Sequence, residues 1–187
     1  MKKAAMFGLD ARIALAIFGA LSVISGAALY SAIQDAKLTS TYVQMQEVAK
    51  SLESFYIDTG SFPASFPSGS SYRLNLAELV SSTKANWQGP YTSLAIDSTY
   101  YLLNSETHER VTLMVSQKDS WGSCDAGDIC EGWVLFYRDN GKDFLKSMDA
   151  KFDDGDPATG NIKGWTSSGT LYAMLLKVSY INGDVSS

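Results

Sequence analysis

Histidine, cysteine, proline and basic charge are all scarce in this 187-residue chain, which has one His, two Cys and four Pro. A catalytic histidine needs an oriented partner and a reacting group within reach. His108 instead sits in a polar stretch with Ser105, Glu106, Thr107, Glu109 and Arg110, and reads as an exposed loop residue. No Gly-x-Ser-x-Gly elbow, His-Glu-x-x-His pair or glycine-rich phosphate loop occurs, so the sequence offers no hydrolase or nucleotide site. Cys124 and Cys130 lack the extra Cys or His ligands of a zinc centre. Lys and Arg number 15 against 20 Asp and Glu, giving a net charge of −5. That balance lacks the basic footprint of a nucleic-acid binder, and no nucleic-acid partner is expected. Internal repeats and low-complexity tracts are absent too, so the composition is that of a globular protein.

Charge is also missing from residues 13–33, a run of 21 residues. About 20 apolar residues cross a hydrocarbon core as a helix. Gly19, Ser22, Ser25, Gly26, Ala27 and Ala28 place small side chains along this run, and small residues let helix backbones approach closely in lipid. A plain signal anchor is the simpler reading of the same segment. A cleaved secretory signal, cut near Ser25, Gly26 and Ala27, is a rival; against it, the apolar run is long and its helical pattern continues through that point. Lys2, Lys3 and Arg12 precede the run and the acids gather after it. By the positive-inside rule the N-terminus stays cytoplasmic and the remainder lies across the membrane. In such an exported domain, Cys124 and Cys130 are expected to form a disulfide around a short loop that Gly127 allows to turn; free thiols are the alternative if the orientation is reversed.

Past Ile33 the apolar positions are Leu38, Tyr42, Met45, Val48, Leu52, Phe55 and Tyr56, mostly three or four apart, as in an amphipathic helix. Gly60, then Pro63 and Pro67, mark its stop. One helix over about 11–58 is therefore predicted, with an amphipathic part at 34–58. Residues 74–80 read as a short helix or turn, and 64–71 as a loop. Residues 100–103, 110–115 and 133–137 read as strands; 171–180 is ambiguous between strand and helix. The fold expected is α+β: a long N-terminal helix whose amphipathic half packs on a small antiparallel sheet.

Asp153, Asp154, Asp156, Thr159 and Asn161 offer several hard oxygens within nine residues, and Gly155 and Gly160 permit tight turns. Calcium takes six to eight such oxygens in flexible geometry. No cofactor is required by the sequence; Ca2+ is the one candidate. A solvated turn that uses Asp and Gly for backbone reasons is the competing account. Asp119, Asp125 and Asp128, near the cysteines, form a second acidic group.

Several of these pieces together resemble the type IV pilins and the pseudopilins of type II secretion. Lys2 and Lys3 precede Gly8, and the hydrophobic helix follows at once. Tyr56, Asp58, Gly60, Phe62 and Pro63 resemble the helix exit of major pseudopilins. Leu76 to Val80, then Trp87, Gln88, Gly89, Pro90 and Tyr91, resemble the segment that follows there, and Asp153, Asp154 and Gly155 resemble an Asp-Asp-Gly loop of prepilin-type proteins. The resemblance implies a leader of residues 1–8, cut by prepilin peptidase between Gly8 and Leu9, with methylation of the new terminus. It implies an assembly half at 9–33 and an exported, pilin-like domain at 34–187. The partners it implies are copies of the chain and related pilin subunits in a helical filament, held first in the inner membrane with the globular domain periplasmic or in an extracellular filament. It also adds calcium in a late acidic loop. One position departs: family members usually carry glutamate at the fifth residue after the cut, which here is Ile13. Asp10 and Arg12 are the charges nearby, and Asp10 is the candidate to pair with a neighbour's amino terminus, since an unpaired charge in a bilayer is costly.

Two further classes stay open at this level. One is a single-pass membrane-anchored periplasmic binding protein that forms no filaments. The other is an anchored hydrolase, for which the residues are missing.

Overall fold

A computed structural model describes residues 4–68, 71–104, 109–117, 130–139, 141–167 and 171–178. The chain divides into two compact units, Met1–Ser40 and Thr41–Ser187. Helix α1, Ala4–Thr59, contributes to both. Within the first unit every described side chain from Gly8 to Ile33 is exposed, including Leu15, Phe18, Leu21, Val23 and Ile24.

The second unit is an α+β domain. Its part of α1 buries Met45, Val48, Leu52 and Phe55, each at most 1% exposed. Their steps of three and four put them on one helix face. Tyr42, half-buried, stacks on Phe152 with ring centroids 4.2 Å apart. Tyr56 is 45% exposed and stacks on Phe62. The helix ends because Gly60 takes φ +71°, and its N–H bonds the Tyr56 carbonyl at 2.8 Å. This is the left-handed helix stop that glycine adopts without a Cβ penalty.

Among the described residues eight strands follow: β1 Ser65–Ser68, β2 Ser71–Leu74, β3 Ala95–Ser98, β4 Tyr101–Leu103, β5 Arg110–Gln117, β6 Cys130–Asp139, β7 Ile162–Ser167 and β8 Leu171–Val178. A 3-10 turn, Leu76–Leu79, lies after β2, and helix α2, Lys142–Phe152, lies between β6 and β7. All pairings are antiparallel, in the order β1-β2-β5-β6-β8-β7, with β4 also on β5 and β3 on β4. The central strands β5 and β6 are buried on both faces. Val111, Leu113, Val115, Val134 and Phe136 line one; Met114, Trp133 and Leu135 cluster on the other. This explains why 110–115 and 133–137 read as near-continuous apolar runs.

The segment after the 3-10 turn fastens the helix end. Tyr91 Oη donates to Asp58 Oδ2 at 2.8 Å, and its ring meets Phe55 edge to face at 5.7 Å. Ser51 Oγ donates to the Tyr91 carbonyl at 2.7 Å, and Trp87 Nε1 donates to the Glu78 carbonyl at 2.9 Å.

Five elements differ from the sequence reading. Residues 65–68, expected as loop, form β1, because Ser and Pro are tolerated on an edge strand, and it pairs in a hairpin with β2 at 71–74, which was expected partly as that loop and partly as the short helix or turn. The short strands β3 and β7 and the helix α2 went unread. In α2 the apolar positions Phe144, Leu145, Met148 and Phe152 do carry a helical spacing, interrupted by charge. The ambiguous C-terminal segment is strand β8 over 171–178, and α1 starts earlier than expected, at Ala4.

Candidate functional site

Two arrangements stand out. The first is the bare helix. Gly8, Leu9, Asp10, Arg12 and Ile13 all lie on α1 with exposed side chains. By length and composition α1 is apolar enough to cross a membrane. A Cβ added at Gly8, Gly19 or Gly26 would meet nothing within 4 Å. Glycine inside a helix costs roughly 1 kcal/mol against alanine. Among the described residues nothing packs against these positions.

The second is the loop after α2. Asp149, on the buried face of α2 beside Met148, is fully buried, and neither carboxylate oxygen has a hydrogen-bond partner of ordinary geometry. Oxygens of Asp149, Asp153 and Asp154 lie within 4.8 Å of one another. Burial pushes the Asp149 carboxyl up from its usual range, and the charges of Asp154, Asp153 and Asp156 push it further; a nearby Gly155 N–H offsets little of this. Asp154 is held below the usual range by donors from the Asp156 N–H and the Thr159 hydroxyl. The remaining loop oxygens serve the loop itself. Asp153 Oδ2 accepts from the N–H groups of Asn161 (2.5 Å) and Ile162 (2.7 Å). Asp154 Oδ1 accepts from the Asp156 N–H at 2.9 Å and Oδ2 from Thr159 Oγ1 at 2.8 Å. Asp156 Oδ1 accepts from the Ala158 N–H at 3.1 Å. Gly160, at φ +75°, leaves space that a Cβ would take from the Asp153 carboxylate.

The structure thus brings Asp153 and Asp154 together with a residue that sequence reasoning missed. Asp156 lies outside the three-carboxylate group. Thr159 bonds Asp154, and Asn161 Nδ2 lies 3.5 Å from Asp153 Oδ1. Asp149 sits on a separate helix, one position past an apolar residue; a carboxylate on the buried face of an amphipathic pattern was the signal available.

Cys130 opens β6, fully buried and not free. Cys124, His108 and the acidic group Asp119, Asp125 and Asp128 lie outside the described residues.

A long exposed apolar helix whose second part packs on an antiparallel sheet defines a pilin-like subunit. Residues 28–130, more than half of the chain, match the family described as type II secretion system (T2SS), protein G, and the chain belongs to that family. It is a pseudopilin, a structural subunit of the pseudopilus and not an enzyme. This decides for the filament subunit over the anchored binding protein. No curated protein and no solved structure gives a match.

Proposed function

We propose that the chain is held in the inner membrane by residues 9–33, N-terminus cytoplasmic, and is drawn from there into a pseudopilus of like subunits. The observation that carries this reading is the uncovered helix, with glycines that leave open space along it. In lipid such residues allow close backbone packing between helices. Leader cleavage falls between Gly8 and Leu9, and residues 34–187 form the exported domain. With Ile13 at the fifth position after the cut, Asp10 supplies the carboxylate that meets a neighbour's amino terminus, and Arg12 the adjacent positive charge. N-terminal sequencing of the membrane and filament forms tests the cut: mature chains begin at Leu9, whereas chains still beginning at Met1 remove it. Shearing cells and imaging the released fibres tests assembly; the reading fails if the chain stays wholly in the membrane fraction of secreting cells.

Cys124 and Cys130 pair in the oxidising compartment that this topology gives the domain. Mass measurement under non-reducing conditions checks it by a two-proton deficit.

The acidic loop fits calcium. Asp149 is a buried carboxylate with no hydrogen bond of ordinary geometry among the described residues, and a buried charge of that kind calls for a counter-charge. Asp149, Asp153 and Asp154 would hold the ion, which would supply the positive charge that lets all three ionise together. A thermal melt with and without chelator tests this: the midpoint rises with calcium, and an unchanged midpoint rejects the site.

A further inference from the structure

A second group of charges belongs neither to the assembly helix nor to the acidic loop. Strand pairing puts Arg73 of β2, Tyr101 of β4, Arg110 of β5 and Tyr137 of β6 on one face of the sheet. The Arg73 guanidinium donates to Tyr101 Oη, and to Tyr137 Oη at 3.4 Å. Its Cζ stands 5.2 Å from the Tyr101 ring centroid, and that of Arg110 stands 5.8 Å from the same ring. Tyr101 and Tyr137 meet edge to face at 6.0 Å.

Among the described residues, one carboxylate serves this group: Asp97 Oδ2 lies 3.0 Å from Arg110 Nε. That carboxylate pairs with Arg110, and among the described residues no carboxylate pairs with Arg73. Phenol hydroxyls satisfy N–H groups but carry no opposing charge. Arg73 is half-buried, and its Nε is buried without a hydrogen-bond partner. The Arg110 side chain is 59% exposed, and a guanidinium has further donors beside Nε. The same sheet face also carries Lys163, whose Nζ stands 5.3 Å from the Trp133 ring centroid, and the Lys177–Glu131 pair, whereas the chain as a whole carries −5.

Geometry and sign together restrict what this face can meet. A positive island cannot face its own image across a two-fold axis, because like charges set against each other cost several kcal/mol. It can meet carboxylates elsewhere on an acidic copy, which makes the contact heterologous, and heterologous contacts that do not close give filaments. We propose that the Arg73–Tyr101–Arg110–Tyr137 face is the positive half of a head-to-tail contact that receives carboxylates of a second copy of this chain. This rests on the assembly reading above and gives it a second contact, in the globular domain.

The test uses the full chain with R110K, which turns the exposed guanidinium into an amine. Cells growing on light and heavy nitrogen each make the variant, and their filaments are disassembled, mixed and reassembled. A zero-length carbodiimide then joins amines to carboxylates in contact. Peptides linking position 110 to an Asp or Glu of the other isotope are expected in filaments and not in detergent-dispersed chains. Filaments whose position 110 links within one isotope only, as to Asp97, or not at all, overturn the proposal while leaving assembly intact. Wild-type chains that never form filaments overturn the assembly reading itself. R110E adds a second readout: filament yield at low salt drops about tenfold or more, while the thermal midpoint of the dispersed chain stays within the small range of an exposed ion pair. Unchanged yield would count against the contact.

Discussion

The first part of α1 and its last nineteen residues, 41–59, follow the same helical geometry to opposite ends. In residues 41–59 a side chain is buried every third or fourth position, and Met45, Val48, Leu52 and Phe55 disappear into the domain core. Over 8–33 nothing is buried, although the residues are more apolar. Hydrophobicity alone therefore does not say where a helix finds its partner. Periodicity does: a stripe asks for cover on one side, within the chain, whereas an apolar surface all round asks for a new solvent or other helices. The glycines sharpen the contrast. Gly60 is needed by its own chain, at φ +71°, while Gly19 and Gly26 have only open space around them.

The largest effects come from breaking the packed half. Phe55→Ala removes a fully buried ring and is expected to destabilise the domain by about 3–5 kcal/mol; chemical denaturation of the dispersed chain measures it. Membrane partition stays as in the wild type. The inverse change, Ile24→Arg, places a charge in mid-helix at a cost to insertion of about 2.5–3.5 kcal/mol. Alkaline extraction of membranes then releases a larger share of the chain, and the domain's denaturation midpoint does not move.

Two smaller changes test the acidic loop against the helix stop. In chelator, Asp149→Asn should stabilise by about 1–3 kcal/mol, since it removes a buried charge that has no counter-charge. The sign follows from linkage. Asp149 holds its proton more tightly folded than unfolded, so without calcium its contribution to stability declines as pH rises above the ordinary carboxylate range. Asp154 is shifted the other way, and its contribution is lost as pH falls below that range. Denaturation midpoints across pH should fall less steeply for D149N than for the wild type, and added calcium should stabilise only the wild type. Gly60→Ala meets no neighbour, so its cost is the left-handed backbone alone, roughly 1–2 kcal/mol, read from the same denaturation curves.

Sequence carried the helix, its stop and the two central strands because each has a local cause. The stripe at 45, 48, 52 and 55 has a helical period, Gly60 stands where a left-handed residue is needed, and β5 and β6 contain near-continuous apolar runs at 111–115 and 133–137. The strands β1, β3 and β7 are short edge or peripheral elements, specified by the partners they pair with rather than by their own residues. The acidic loop was half legible. Asp153 and Asp154 announce themselves beside Gly155, but Asp149 belongs to α2, and its burial depends on how that helix lies in the domain. The Arg73–Arg110 face could not be read at all, since four strands bring its members together.

The central claim, that residues 9–33 pack against other copies, is tested most directly by disulfide crosslinking in filaments. Cysteines placed at A20C and L29C, on a chain whose own Cys124 and Cys130 have been replaced, are oxidised in sheared fibres and in dispersed chains. A ladder of multimers from the fibres, with monomers from the dispersed chains, is the predicted result. Fibres that contain the chain yet yield only monomers would contradict the account.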